Sequence, residues 1–207
     1  VISGRSEEKG ATALEEMNAG DNAIFIACDA GKQSDVEGLI DGTVDHFGKI
    51  DIAVLNAGGI LNAAPVAEMT DESWNYTINL NLNHTFWGMR KALQHMLPQE
   101  SGRIIAISSV EGKLRTATVS HYVATKHAIN GLVKTAAHEV GESGVTVNAI
   151  LPGFVKTDLF YESAPQTAEA LGMDSLDEVA DMYSSASAIK KPNTVEQVAA
   201  VAVMLDR

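Results

Sequence analysis

The chain has 207 residues, of which 45% are hydrophobic and 20% charged, a composition typical of one globular domain with a sizeable core. Its 27 acidic residues outnumber the 15 basic ones, and the formal net charge of −12 disfavours a nucleic acid or an anionic membrane as partner. No apolar run is long enough to span a membrane, and the single cysteine, Cys28, cannot form an internal disulfide, so we expect a cytoplasmic setting.

Short apolar runs alternate with longer helical patterns along the chain. Strands are predicted at 1–3, 22–30, 50–59, 102–110 and 145–153, and helices at 6–20, 32–48, 71–99 and 120–143. The strands are continuous apolar runs, as expected when helices cover both faces of a parallel sheet. The pattern predicts an α/β fold, with residues 1–207 as one domain built on a Rossmann-like, doubly wound parallel sheet.

The carboxyl ends of the predicted strands are the places to look for a site, because sheets of this kind bind ligands there. The residues that follow the apolar runs are small, polar or glycine-rich: Gly4-Arg5-Ser6, Asp29-Ala30, Asn56-Ala57-Gly58-Gly59, Ser108-Ser109 and Pro152-Gly153. One such cluster is weak evidence, since loops are often rich in glycine and serine. Five of them along one edge predict a ligand site.

Tyr122 and Lys126 lie four positions apart in the predicted helix 120–143, so their side chains project from the same face. A free phenol has a pKa of about 10 and is a poor base at neutral pH, whereas a nearby ammonium group favours the phenolate and lowers that pKa. The pair is therefore a candidate acid/base, although an ordinary amphipathic contact would give the same spacing.

Two further polar positions point to the same chemistry. Ser109 ends the preceding strand, where its hydroxyl would hold a carbonyl or alkoxide oxygen beside the phenol; a turn serine is the plainer interpretation. Asn81 lies inside a predicted helix, where asparagine is unfavourable, and a buried asparagine there needs a partner or a bound water.

Taken in order, these residues resemble the short-chain dehydrogenase/reductase family. The matching segments are NAG at 56–58, WNYTINLNL at 74–82, ISS at 107–109, YVATK at 122–126 and VNAILPGFVKTD at 147–158. The Tyr-Lys spacing alone is a weak motif, but the ordered set covers nearly the whole chain and is highly specific. The resemblance implies an oxidoreductase that interconverts a secondary alcohol and a ketone by hydride transfer.

The resemblance also implies a role for each matching residue. Tyr122 is expected to be the general acid in reduction and the general base in oxidation, and Lys126 to lower the pKa of that phenol and bond the nicotinamide ribose. Ser109 is expected to orient the substrate oxygen. Asn81 is expected to seat the water of a proton relay, although Asn79 lies close enough to be confused with it.

The family's glycine-rich phosphate loop, which follows its first strand, has no counterpart in this sequence. We therefore expect the chain to lack the first βα unit and the last strand of the family's fold, as a sequence truncated at both termini would. Without that loop, these residues alone are expected to bind a cofactor poorly.

The remaining cofactor residues favour NADP(H) over NAD(H). Where an acidic residue would bind the ribose diol of NAD, this chain has Gly4 followed by Arg5, whose guanidinium can grip a 2′-phosphate; a solvated arginine that opens a surface helix is the alternative. The resemblance assigns further residues to the cofactor: Ser6 beside Arg5, Asp29 and Ala30 at the adenine, Asn56, Ala57 and Gly58 at its ribose, Tyr122 and Lys126 at the nicotinamide ribose, and Pro152, Gly153, Val155 and Thr157 on the carboxamide side.

Residues 159–192 take the place of the family's substrate lid, although two surface helices with a small core of their own fit the composition equally well. The substrate is not readable from this segment, and the layout resembles relatives acting on 3-oxoacyl groups, hydroxy acids or small cyclic alcohols. The helices over 74–97 and 120–142 carry apolar residues on more than one face, so a homo-oligomer, tetramer or dimer, is expected. No spacing of His or Cys predicts a metal site.

Two other functional classes remain open. One is a catalytically inert dinucleotide-binding sensor or scaffold of the same fold, which the joint presence of Asn81, Ser109, Tyr122 and Lys126 disfavours. The other is an epimerase or dehydratase of the extended relatives, which the compact length of the chain disfavours.

Overall fold

A computed structural model describes residues 1–185 and 187–206, and all five predicted strands are present in it. The strands are β1 (Ile2–Gly4), β2 (Phe25–Ala27), β3 (Ile52–Leu55), β4 (Gly102–Ile107) and β5 (Val145–Ile150). The helices are α1 (Glu7–Met17), α2 (Gln33–Phe47), α3 (Asp71–Thr77), α4 (His84–Met96), α5 (Ser120–Glu139), α6 (Asp158–Leu171), α7 (Leu176–Ser184) and α8 (Val195–Leu205). Short 3-10 helices lie at Gly20–Asn22, Val66–Glu68 and Val110–Gly112.

The prediction of an α/β fold with parallel strands is confirmed, but the described strands form two sheets. β1 pairs with β2, and β3, β4 and β5 form a second sheet in that order, with every pairing parallel. A cavity of about 720 Å³ lies between β1 and β3 and is lined by residues of both strands. One edge of β1 and one edge of β3 therefore face this cleft instead of each other.

The core lies on one face of the three-stranded sheet, under α2, α4 and α5. It is built from apolar side chains of the strands and of these three helices: Ile40, Ala53, Leu55, Met89, Met96, Ile104, Ile129, Val133 and Val147. Along β3, Ala53 and Leu55 are 5% and 6% exposed, whereas Ile52 and Val54, on the opposite face, are 43% and 51% exposed. The face of the sheet that carries Ile52 and Val54 is covered by α8 at β4 and β5, whereas at β3 it is exposed.

The predicted helix over 71–99 is interrupted. The α-helical pattern stops at Thr77, Ile78–Asn83 form a π-helical turn, and α4 then runs to Met96, just before Pro98. The cause is local: the buried Asn81 side chain donates from Nδ2 to the Thr77 carbonyl, at 2.8 Å, and Thr85 Oγ1 donates to the Asn81 carbonyl, at 2.7 Å. These side-chain bonds compete with the regular backbone ladder, and such turns are frequent at functional sites.

The segment predicted as a lid forms α6 and α7, which share a small hydrophobic cluster. Its buried members are Phe160, Ala164, Ala168, Val179 and Ala180. Phe154, just before α6, packs against Phe160 with ring centroids 5.1 Å apart, and Lys156 Nζ lies 3.1 Å from Asp177 Oδ1. The segment thus has the second form considered from the sequence, two helices with a core of their own, and its role as a lid stays a prediction.

Candidate functional site

Tyr122 and Lys126 lie on one face of α5, next to the end of β4. The Lys126 ammonium group is 5.3 Å from the centroid of the Tyr122 ring, and it donates a hydrogen bond to the carbonyl of Ile107, the last residue of β4, at 2.8 Å. The lysine side chain is buried, since the residue is only 3% exposed. The end of β4 therefore fixes the position of the ammonium group near the Tyr122 ring.

Ser109 is held next to Tyr122 by contacts between the end of β4 and α5. Ser108 Oγ donates to the Lys126 carbonyl at 3.1 Å, and Asn130 Nδ2 donates to the Gly112 carbonyl at 3.0 Å. Gly112 permits this approach, because a Cβ at that position would stand 2.8 Å from the Lys126 carbonyl oxygen. The Ser109 hydroxyl forms a hydrogen bond with the Tyr122 side chain that acts to lower the pKa of the phenol.

The pKa of Tyr122 differs from the sequence-based expectation. Burial raises it above its ordinary value, the bond from Ser109 lowers it, and the negative charge of Glu111 raises it further. The net shift is therefore upward, opposite to the lowered pKa expected from the sequence, because the loss of hydration outweighs the bond from Ser109; the effect of Lys126 on this phenol stays a prediction. Burial also lowers the pKa of Lys126 to about 8, so at neutral pH the lysine still carries its charge.

Asn81 joins the turn after β3 to the helical segment that follows. Its Nδ2 donates to the Gly59 carbonyl at 2.6 Å, and its Oδ1 accepts from the Gly59 amide at 3.2 Å. Asn79, the neighbour that the sequence could not separate from it, is exposed and bonded to Asn83. Asn81 is thus the asparagine that faces the site, and its side chain bonds to backbone.

Gly58 brings Asn81 and Lys126 together. A Cβ at this position would lie 2.8 Å from Asn81 Oδ1 and 3.4 Å from Lys126 Nζ, and the first separation is closer than a carbon and an oxygen tolerate. The residue has to be glycine because two polar side chains approach the bare backbone at this point. The turn after β3, the π-helical turn and α5 therefore meet at Gly58.

The cleft between β1 and β3 contains six of the residues predicted to bind a cofactor: Arg5, Asp29, Ala30, Asn56, Ala57 and Gly58. Asp29 is already engaged, since its Oδ1 accepts from the Gly31 amide at 3.0 Å and its Oδ2 lies 3.5 Å from Lys32 Nζ. Arg5 forms no ion pair with any residue that the structure describes. These six residues follow β1, β2 and β3, at the carboxyl ends of strands, where sheets of this kind bind a dinucleotide.

The other predicted cofactor residues lie outside this cleft. The Pro152 carbonyl accepts from the Val110 amide at 3.0 Å, which places the loop after β5 beside the Ser109 turn. Val155 pairs with Asn193, and Thr157 begins α6. Ser6 caps α1 by accepting a bond from the Lys9 amide at 3.2 Å. The structure thus brings the catalytic candidates together and leaves the two groups of cofactor candidates in separate places.

Two residues that the sequence analysis did not select contact this site. Glu111 donates from its backbone amide to Ser109 Oγ at 3.2 Å, and its charge acts on Tyr122. His84 is buried one helical turn beyond Asn81, and burial lowers its pKa to about 4. The signal for Glu111 was its place two residues after a strand-end serine; the burial of His84 follows from the π-helical turn, which the hydrophobic pattern does not reveal.

Residues 1–168 match the family profile described as short chain dehydrogenase. The chain belongs to this family. Among curated short-chain dehydrogenases it is 38% identical over 177 residues to D-beta-hydroxybutyrate dehydrogenase of Rhizobium meliloti, covering 86% of this chain and 68% of that protein. It is 36% identical over 165 residues to a 3beta-hydroxysteroid dehydrogenase of Mediterraneibacter gnavus, covering 79% and 59%.

A third curated relative in the family is a 3-oxoacyl-(acyl-carrier-protein) reductase of Staphylococcus aureus, 37% identical over 155 residues, covering 74% of this chain and 63% of that protein. The chain thus spans between 59% and 68% of the length of these three relatives. Among solved structures, an actinorhodin polyketide ketoreductase with NADPH has a TM-score of 0.91 at 30% identity, covering 100% of this chain and 79% of that one. A structure described as ElxO with NADP bound has a TM-score of 0.87 at 29% identity, covering 100% and 80%.

Over the residues described, no helix of this short-chain dehydrogenase is both long enough and apolar enough to cross a membrane. The same residues contain no group of three or more His, Cys, Asp or Glu side chains placed to hold a metal ion.

Proposed function

We propose that this protein is an NADP(H)-dependent oxidoreductase that interconverts a secondary alcohol and a ketone, with Tyr122 as the acid/base. The observation that carries the proposal is the meeting of Tyr122, Ser109 and Lys126 at the end of β4, with Asn81 beside them across Gly58. Names of dehydrogenases and reductases among the relatives support the same reaction type.

In reduction, Tyr122 donates the proton and Ser109 holds the substrate oxygen. The raised pKa of the phenol keeps it protonated at neutral pH, which is the form that a proton donor needs. The Ser109 hydroxyl, which bonds the phenol, would bond the same substrate oxygen. A nicotinamide cofactor, when bound, supplies or accepts the hydride. Oxidation requires the phenolate instead, so it is favoured at alkaline pH.

Lys126 and Asn81 have supporting roles beside the phenol. The Lys126 ammonium group stabilises negative charge on the Tyr122 oxygen, and the Ile107 carbonyl fixes its position. Asn81 holds the turn after β3 against the π-helical turn through its two bonds to Gly59. Its part in a proton relay stays a prediction; Oδ1 accepts one hydrogen bond from the residues that the structure describes, and a carbonyl oxygen can accept a second from such a water.

The residues of the cleft would hold the adenosine end of the cofactor. Arg5 would bind a 2′-phosphate, because the residue lines the cleft next to Gly4 and its guanidinium forms no ion pair within the described ranges. Asp29 and the backbone of Asn56 to Gly58 would flank the adenine and its ribose. The structural relatives described with NADP or NADPH support this preference.

Nucleotide binding by the full-length protein tests the cofactor assignment. We expect NADPH to bind more tightly than NADH. Arg5→Ala should lower the affinity for NADPH by about tenfold to a hundredfold, because a bidentate bond to phosphate is lost, and should leave the affinity for NADH nearly unchanged. Titration of both nucleotides by calorimetry measures the ratio. Lys9→Ala, which removes another cation near the start of α1, serves as the control. An equal loss of affinity for NADPH and for NADH in Arg5→Ala would contradict the role of Arg5.

The homo-oligomer also belongs to the proposal. Large side chains of α3 and α4 are exposed, among them Trp74 at 39% and Phe86 at 40%. An apolar surface of this kind suits contact with a second copy of the chain.

A further inference from the structure

Glu111 lies in the turn that carries Ser109. The 3-10 helix Val110–Gly112 follows β4 directly, with Ser109 as its N-cap. The Glu111 amide donates to Ser109 Oγ at 3.2 Å, and its carboxylate oxygen Oε1 accepts from Thr116 Oγ1 at 2.8 Å. One bond fixes the backbone of the residue and the other holds its side chain, so the carboxylate has a defined place beside the catalytic candidates.

No ion pair within the described part of the chain compensates the negative charge of Glu111. Its Oε2 is shielded from solvent and has no hydrogen-bond partner among residues 1–185 and 187–206. Among the residues that the structure describes, no lysine, arginine or histidine lies within ion-pair distance of it, although Lys113 and Arg115 follow closely in the sequence. The charge at the shielded Oε2 is screened less by water than the charge of a fully exposed carboxylate, so part of its field acts inside the protein.

That field reaches the Tyr122 phenol, where the reacting oxygen of a substrate would bond. The charge of Glu111 is one of the causes that raise the pKa of Tyr122, which is the effect of a nearby anion on a group that becomes anionic. The same repulsion acts on any other anion placed at this position. Lys126, the cation of the site, is bonded to the Ile107 carbonyl on the side of β4.

We propose that Glu111 selects substrates by their charge. The site then accepts uncharged secondary alcohols and ketones and rejects those with a carboxylate close to the reacting carbon. This inference rests on the proposed function, and it narrows the substrate class. It separates the chain from the relative of Rhizobium meliloti, whose name describes a hydroxy acid as substrate. Among the three substrate classes raised by the sequence, it favours small cyclic alcohols and disfavours hydroxy acids.

The test compares matched substrates that differ in one charge. Racemic 3-hydroxybutanoate and 3-hydroxybutanamide form one pair, and 3-hydroxycyclohexanecarboxylate and its carboxamide form a second. The full-length protein with NADP is assayed for kcat/KM on each member, together with competition by each member against the best ketone found in the reverse direction. The readout is the ratio of amide to carboxylate, which a general loss of folding does not change.

Three variants complete the design. Glu111→Gln removes the charge with little change in shape, Glu111→Asp keeps the charge, and Glu139→Gln removes an equal charge from the exposed end of α5. We expect wild-type, Glu111→Asp and Glu139→Gln to prefer the amides. Glu111→Gln should lower the ratio by about tenfold or more, because two unit charges within several ångströms at an effective dielectric of about 20 interact strongly enough for such a factor.

The outcomes separate the two proposals. A wild-type protein that takes the carboxylates as well as the amides, or a ratio unchanged in Glu111→Gln, would overturn the role of Glu111 while leaving the oxidoreductase proposal intact. A wild-type protein that turns over no alcohol or ketone of either kind would overturn the proposed function, and the inference with it.

Discussion

Gly58→Ala is the substitution that tests the geometry of the site most sharply. The new Cβ would lie 2.8 Å from Asn81 Oδ1, so either Asn81 or the turn after β3 has to move. Movement weakens the two bonds between Asn81 and Gly59, each worth about 1 kcal/mol, and overpacking adds about 1–3 kcal/mol. The expected loss in the free energy of unfolding is about 2–4 kcal/mol, measured by urea denaturation.

The neighbouring glycine provides a matched control. A Cβ at Gly59 would lie 3.5 Å from Leu80 Cδ2, an ordinary contact, so Gly59→Ala should change the free energy of unfolding by less than about 1 kcal/mol. Both proteins have to unfold with the same dependence on urea for the comparison to hold. Equal stability of the two variants would refute the argument that Asn81 and Lys126 require bare backbone at position 58.

Two buried basic groups give predictions on pH and stability. His84 has a pKa lowered to about 4 by burial, against an ordinary value of 6.5, so its contribution to stability is complete above pH 6.5 and is lost as the pH falls through 4. Relative to His84→Leu, the wild-type protein should lose about 3 kcal/mol of unfolding free energy over that range, whereas exposed His138→Gln should follow the wild type. Lys126, with a pKa lowered to about 8 from 10.5, is charged and buried at pH 7, which costs stability. Lys126→Met should therefore raise the free energy of unfolding at pH 7 by about 1–3 kcal/mol, after allowing for the lost bond to Ile107, and this gain should shrink between pH 8 and 10.5. A destabilised Lys126→Met protein at pH 7, or a His84→Leu protein with the acid dependence of the wild type, would contradict these assignments.

The strands and their parallel arrangement were predictable because the signal is local. Continuous apolar runs such as IIAI in β4 and helical repeats such as that of α5 identify their elements without tertiary information. Tyr122, Ser109 and Asn81 were selected because a strand end and a helix face can be read from the same pattern. Asn81 could not be separated from Asn79 by sequence, since the difference is burial, which depends on the π-helical turn.

The electrostatics of the site were not predictable. The sequence places Lys126 near Tyr122, and proximity alone predicts a lowered phenol pKa; the degree of burial, with the charge of Glu111, raises it instead. Glu111 looks like an ordinary polar turn residue until its bond to Ser109 is known. The close approach at Gly58 was likewise hidden, because Asn81 and Lys126 are distant from it in sequence.

Replacement of Tyr122 by phenylalanine is the most direct test of the proposed mechanism. The change removes only the phenolic oxygen and keeps the ring beside Lys126. In the full-length protein, Tyr122→Phe should lower turnover of NADPH with an uncharged ketone by about a hundredfold to ten-thousandfold, as loss of a positioned acid does, while NADPH binding stays close to that of the wild type. Exposed Tyr183→Phe, the control, should retain turnover. Turnover by Tyr122→Phe equal to that of the control would contradict the assignment of Tyr122 as the acid/base.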